Sequence, residues 1–242
     1  MWNKLLSPPL LYLFLLIGTI VATVAGIFLQ NKFLLPLLQI AVAYPVLYAL
    51  LIRRLRKRAI AAMLFWALCL GVVTVATCVR FPDEGARSIV HGSTYTNQMF
   101  QWIKTGEGAE GNPLQFVPQH LIHFVVFVLL SLLTGSLLSL LMGALLMNYM
   151  SFYVSSVILA SNDRLMGALM GWHPWSVIRV ASFVILGVIL AEPMICRIQK
   201  MDYEYAEVRP FFWAALNCLV VDILMKTFLA PWWGLELRRL IS

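Results

Sequence analysis

Six apolar stretches dominate the chain, at residues 10–30, 33–52, 59–79, 121–147, 177–195 and 211–231. Each is long enough to cross a hydrocarbon core as a helix, which takes about 20 residues. Lipid offers no hydrogen-bonding partner to a bare backbone, so each stretch must satisfy its own peptide groups, and none alternates apolar and polar residues as a barrel strand does. The expectation is an all-α, polytopic transmembrane helix bundle of about six spans, forming one integral membrane domain over residues 1–242. Lys4 precedes the first stretch as it would in a signal peptide. The apolar run exceeds the roughly 7–15 residues of a cleaved signal core, however, which favours a retained helix.

Charge sets the orientation. Lys and Arg number 18 against 11 Asp and Glu, and five of the basic residues, Arg53, Arg54, Arg56, Lys57 and Arg58, fall together directly after the second stretch. Cytoplasmic loops of membrane proteins carry such a Lys/Arg excess. No aromatic-studded basic domain accompanies the run, so the bilayer rather than nucleic acid is the expected partner. With the run in the cytoplasm, six crossings place both termini in the cytoplasm and residues 80–119 and 197–210 outside. Trp172, Trp175, Trp232 and Trp233 then mark the inner interface. No Asn-x-Ser/Thr acceptor and no organelle signal occurs, which fits a bacterial-type inner (plasma) membrane.

The connections are uneven. Residues 80–119 form a long extracytoplasmic loop, in which Ser93 can start a short helix presenting Tyr95, Met99, Trp102 and Ile103 on one face, a spacing that suits lying on the membrane surface. Residues 148–174 read as an interfacial or re-entrant helical segment. A single helix over 121–160 would be about 60 Å long, twice the hydrocarbon thickness. Ser131, Gly135, Ser139 and Gly143 recur every four residues in the fourth stretch. Such small residues let a second helix approach closely, within this chain or as the docking face for a partner subunit or a second copy.

Several motif matches fail. Residues 106–111, Gly-Glu-Gly-Ala-Glu-Gly, match a dinucleotide-binding string, but no strand precedes them and two carboxylates would repel a pyrophosphate. Four cysteines occur without CxxC spacing. Cys78 and Cys196 fall at the outer ends of the third and fifth spans, where an oxidising compartment would permit a disulfide.

Two constellations remain. His120 and His123 share a helical face at the outer mouth of the fourth span, with Glu192 at similar expected depth, a set suited to holding a metal or relaying protons. Asp222 lies near the middle of the sixth span, where an unpaired carboxylate is disfavoured by about 2.5–3.5 kcal/mol. Lys226, one turn onward, and Arg179, in the fifth span, are its candidate partners. Three functions fit these residues. A transport component, a permease or channel-like subunit, comes first, because intramembrane charges at Asp222, Lys226, Arg179 and Glu192 mark pathways. A membrane enzyme using His120, His123 and Glu192 on a lipid-like substrate is second, and a noncatalytic assembly subunit is third. No cofactor is indicated.

Overall fold

Lipid-length apolar runs become helices along almost the whole chain. The computed structural model describes residues 7–241, whose elements are all helical: α1 (Pro8–Phe28), α2 (Leu34–Leu51), α3 (Arg56–Arg80), α4 (Pro82–Ser88), α5 (Gly92–Thr105), α6 (Pro113–Thr134), α7 (Leu137–Ala160), α8 (Arg164–Gly171), α9 (Pro174–Gln199) and α10 (Tyr205–Ile241). Among the described residues, seven helices, α1, α2, α3, α6, α7, α9 and α10, are long and apolar enough to cross a membrane. The chain is a multi-pass integral membrane protein, a helical bundle whose outer surface is greasy. Leu13, Ile17, Val72, Leu129 and Phe228 point outward, while Gln39, Asn148, Asp222 and Lys226 are buried.

The span count rises from six to seven because the stretch 121–147 is two helices. Gly135 and Ser136 both adopt left-handed backbone, φ 55° and 66°, and the chain turns back on itself. Glycine takes that conformation freely; serine needs outside help. Ser136 receives it by donating its backbone N–H to Ser131 O (3.0 Å) and its hydroxyl to Gly187 O of α9. Thr134 Oγ1 caps the new helix by accepting from Leu138 N (3.1 Å). The small-residue stripe is thereby divided, with Ser131 buried near the end of α6 and Ser139 and Gly143 on α7. It does not form one continuous docking face. Residues 148–160 are the second half of α7, itself long and apolar enough to cross a membrane, and α8 follows as a short helix, its Asp163 side chain accepting from Leu165 N and Met166 N.

Side-chain contacts show which segments share an end of the bundle. Arg54 donates to Asp202 O (3.0 Å), and Arg56 pairs with Glu192 (2.7 Å) and Glu207 (3.2 Å). The basic run therefore lies beside residues 200–207, not across the membrane from them as six spans require. At the far end, Arg238 Nε donates to Ile103 O (2.7 Å), Asn162 N to Leu240 O (3.1 Å) and Trp233 Nε1 to Met170 O (2.8 Å). The α1 helix reaches this far end too, where Ser88 Oγ donates to Ile27 O (2.6 Å). So α1 begins at the basic end and α10 finishes at the far end, which puts residues 8 and 241 at opposite ends of the bundle. The Trp175 and Trp233 rings, 5.9 Å apart, also sit at the far end rather than beside the basic run. Cys78 and Cys196 end up at opposite ends, and all four cysteines are free.

The main core packs α1, α2, α3, α7 and α9 through Leu15, Leu47, Leu50, Leu70, Ala144 and Ala191, all fully buried. Within it Gln39 and Asn148 exchange two hydrogen bonds, 3.0 and 2.8 Å, with Thr23 (3.2 Å) and Thr74 (3.4 Å) as flanking partners. This closed amide pair ties α1, α2, α3 and α7 at a depth where water cannot serve. By contrast α6 packs only on α7 and α9 with any breadth, and α10 on α9, α5 and α8. These two looser helices face each other across a cavity.

Candidate functional site

The cavity, about 640 Å³, runs between α2, α3, α5, α6, α7, α9 and α10, from Leu47 and Met63 on the basic side to Glu110 at the far end. Its volume falls in the range of small-molecule sites, about 300–1,000 Å³. Phe127, Leu140, Val184 and Leu216 line its deeper part, whereas the charged groups gather near the far end. Leu121 of α6 and Val220 of α10 line it too and are themselves exposed.

Two ion pairs, one helical turn apart on α10, organise the charged end. Arg179 of α9 clamps Asp222 with two parallel bonds, Nε to Oδ2 and Nη2 to Oδ1, each 2.8 Å. A planar guanidinium satisfies both carboxylate oxygens at once, which is the way a buried carboxylate is best held. His120 of α6 approaches the same carboxylate, Nδ1 to Oδ2 3.8 Å, too long for a hydrogen bond, and that buried nitrogen has no other partner. Lys226 turns away from Asp222 and pairs with Glu110 (2.9 Å), its ammonium also lying 4.4 Å over the Phe116 ring.

Glu110 comes from the loop between α5 and α6. Gly106 and Gly108, with φ 79° and 137°, permit the path that turns this carboxylate inward. The α5 helix holds the loop down by burying Met99, Trp102 and Ile103, the face read from the sequence. Trp175 Nε1 donates to Glu110 Oε1 (3.3 Å), and His173 Nδ1 lies 3.9 Å from the same oxygen. Burial opposes the charge on Glu110, but Lys226, His173 and Arg179 more than offset it and draw its pKa down to about 2. His173 is fully buried, stacked on Trp175 at 4.8 Å and 3.2 Å from the Tyr153 hydroxyl through Nε2. Burial pushes its pKa down to about 4 against the opposing pull of Glu110, so the ring is neutral at physiological pH.

The expected groupings are thus partly reassembled. Asp222 and Arg179 meet, and Lys226 is beside them but belongs to Glu110. His120 joins Asp222, while His123 lines the cavity farther along α6. Glu192 does not join the histidines; it lies 13 residues beyond Arg179 on α9, about 20 Å along the helix, in the Arg56 cluster at the basic end. Among the described residues no group of three or more His, Cys, Asp or Glu is placed to hold a metal ion. Glu110 and His173 are not among the sequence-derived site residues, and Arg56 figures there only as part of the orienting basic run. No sequence signal points to Glu110, because Glu192 balances the second intramembrane cation until the structure places it at the other end of the bundle.

No known protein family, no curated protein and no solved structure matches this chain.

Proposed function

We propose that this protein is a membrane transport component, a permease or channel-like subunit, whose pathway is the cavity between α6 and α10. The carrying observation is the pairing of Arg179 with Asp222 and of Lys226 with Glu110 on the wall of a cavity, not in a packed core. Charged groups at membrane depth are disfavoured and persist where they line pathways or paired sites. A second layer of charge, Arg56 with Glu192 and Glu207, lies at the opposite end of the bundle. A cavity between two such layers suits alternating exposure of one site to two sides. The basic run orients the bundle with its Arg56 layer toward the cytoplasm of a bacterial-type inner membrane and the charged end of the cavity toward the outside.

Substituted-cysteine accessibility tests the pathway without knowledge of the substrate. Gly143 lines the cavity, and a Cβ placed there meets nothing within 4 Å, so Gly143→Cys fits. In a cysteine-free background it should react with a small impermeant thiol reagent from outside, and from the cytoplasmic side once Glu192→Gln weakens the Arg56 layer. Protection from both sides in both backgrounds would refute a pathway. A second reading, a membrane enzyme acting on a lipid-like substrate, rests on the unpartnered His120 Nδ1 facing Asp222, an arrangement suited to a general base.

A further inference from the structure

Lys226 occupies an unusual seat. Its side chain is only 3% exposed, and its one anionic partner, Glu110, is supplied by a glycine-rich loop rather than by a helix. Were that loop to withdraw, the charged end would hold Arg179 and Lys226 against Asp222 alone, one positive charge in excess. Two further groups converge on the same point. Trp175 Nε1 spends its hydrogen bond on Glu110, and His173 Nδ1, fully buried and without a partner, lies 3.9 Å from the Glu110 carboxylate. The seat is thus built for an oxyanion, and Glu110 fills it from within the chain.

The route to the seat is equally specific. Near the far end the side chains of α6 and α10 meet at Phe116 with Lys226 and His120 with Asp222, while toward the basic end Phe124 and Phe127 share an apolar cluster with Ala215 and Leu219. Deeper, the wall is apolar, and Leu121 and Val220, which line it, are themselves exposed. A freely soluble anion has no use for that apolar half, whereas a molecule with one charged group and a long apolar chain fits both halves.

We propose that the Lys226 seat receives the anionic group, carboxylate or phosphate, of an amphiphile that enters from the bilayer between α6 and α10 and displaces Glu110. This deepens the transport reading, on which it rests for the use of the cavity as a pathway. Glu110 acts as a resident stand-in: it keeps Lys226 paired while the cavity is empty and leaves with its loop when the cargo's own anion arrives. The bonds exchanged are ionic and hydrogen bonds only, and no covalent step is involved.

The test uses full-length protein in phosphatidylcholine nanodiscs, with oleate, lysophosphatidate, oleyl alcohol and inorganic phosphate as probes, scored by native mass spectrometry. Oleate or lysophosphatidate should bind at one copy per chain, and Glu110→Gln should raise the affinity about tenfold by removing the competing carboxylate. Adding Lys226→Gln to that variant should abolish the gain. Should Glu110→Gln lose monodisperse elution, wild type against Glu110→Gln/Lys226→Gln, neutral at both positions, carries the same comparison. Equal binding of oleyl alcohol, equal affinity with and without Glu110, or no binding of any probe would overturn the proposal. Inorganic phosphate binding as well as the amphiphiles would overturn it in favour of a free-anion seat. An inaccessible Gly143→Cys alongside charge-dependent oleate binding would instead remove the transport reading and leave the seat standing.

Discussion

Arg179 Nη2 and Nε lie 2.8 Å from the two carboxylate oxygens of Asp222, joining α9 to α10 by a bidentate ion pair whose carboxylate is 1% exposed. Removing one member of such a pair strands a buried charge, a loss of about 3–5 kcal/mol in comparable sites. Asp222→Asn and Arg179→Gln should each lower unfolding stability in detergent by about that much. The double variant should lose at least about 1 kcal/mol less than the two losses added together. Asp222→Asn with Lys226→Gln should lie much nearer additivity, because Lys226 answers to Glu110. A cycle that couples Asp222 to Lys226 and not to Arg179 would contradict this pairing.

The pH response of the far end separates two groups. His173 has its pKa lowered to about 4, so between there and its unfolded value near 6.5 the unfolded chain binds the proton and the native chain does not. Stability contributed this way is fully present above pH 6.5 and declines as the pH falls to 4, at about 1 kcal/mol per pH unit. Glu110, facing Lys226, Arg179 and His173, is depressed to about 2. Its contribution is present above about pH 4.5 and is lost only as the pH falls from there toward 2. His173→Gln should flatten the stability curve between pH 6.5 and 4 and narrow the lower window, since one of the cations that depress Glu110 is gone, whereas Glu110→Gln should flatten the lower window and widen the upper one, since Glu110 holds the His173 pKa up. A His173→Gln variant with the wild-type slope in the upper window would show that the imidazole is not held neutral.

How far sequence alone reaches depends on the range of the interaction. The helical bundle follows from apolar runs whose length lipid dictates, and the apolar face of α5 follows from the spacing of Met99, Trp102 and Ile103, although that face packs against Tyr153, Trp175 and Leu237 of the bundle and not on a membrane surface. A sequence is ambiguous where one residue admits two physical roles. Gly135 within an apolar run serves equally as a close-packing surface and as a left-handed turn, and only the hydroxyl contact of Ser136 with Gly187, distant in sequence, decides for the turn. That one turn adds a crossing, inverts everything after it, and brings His173 to the far end beside Glu110. Asp222 with Arg179 was legible because a lone mid-membrane carboxylate demands a cation; Glu110 was not, because a loop acid ordinarily finds water.

The turn at Gly135–Ser136 therefore carries the topology, and labelling decides it. Lys57 and Tyr203 are exposed at the basic end, whereas Glu107 and Arg164 are exposed at the far end. Each position is changed to Cys singly in a cysteine-free background and treated in intact cells with an impermeant maleimide. Seven crossings with the Arg53–Arg58 run in the cytoplasm require Glu107→Cys and Arg164→Cys to label, and Lys57→Cys and Tyr203→Cys to react only after lysis. A six-crossing chain would instead label at 203 and protect 164, because residues after the fourth span would exchange sides. Labelling at 57 and 203 together, with 107 and 164 protected, would keep the seven-span fold and invert its orientation, moving the charged end of the cavity to the cytoplasm. The contacts of Arg54 with Asp202 and Glu204 permit no arrangement in which 57 and 203 fall on different sides. A split result at those two positions would thus refute the packing of the basic end itself.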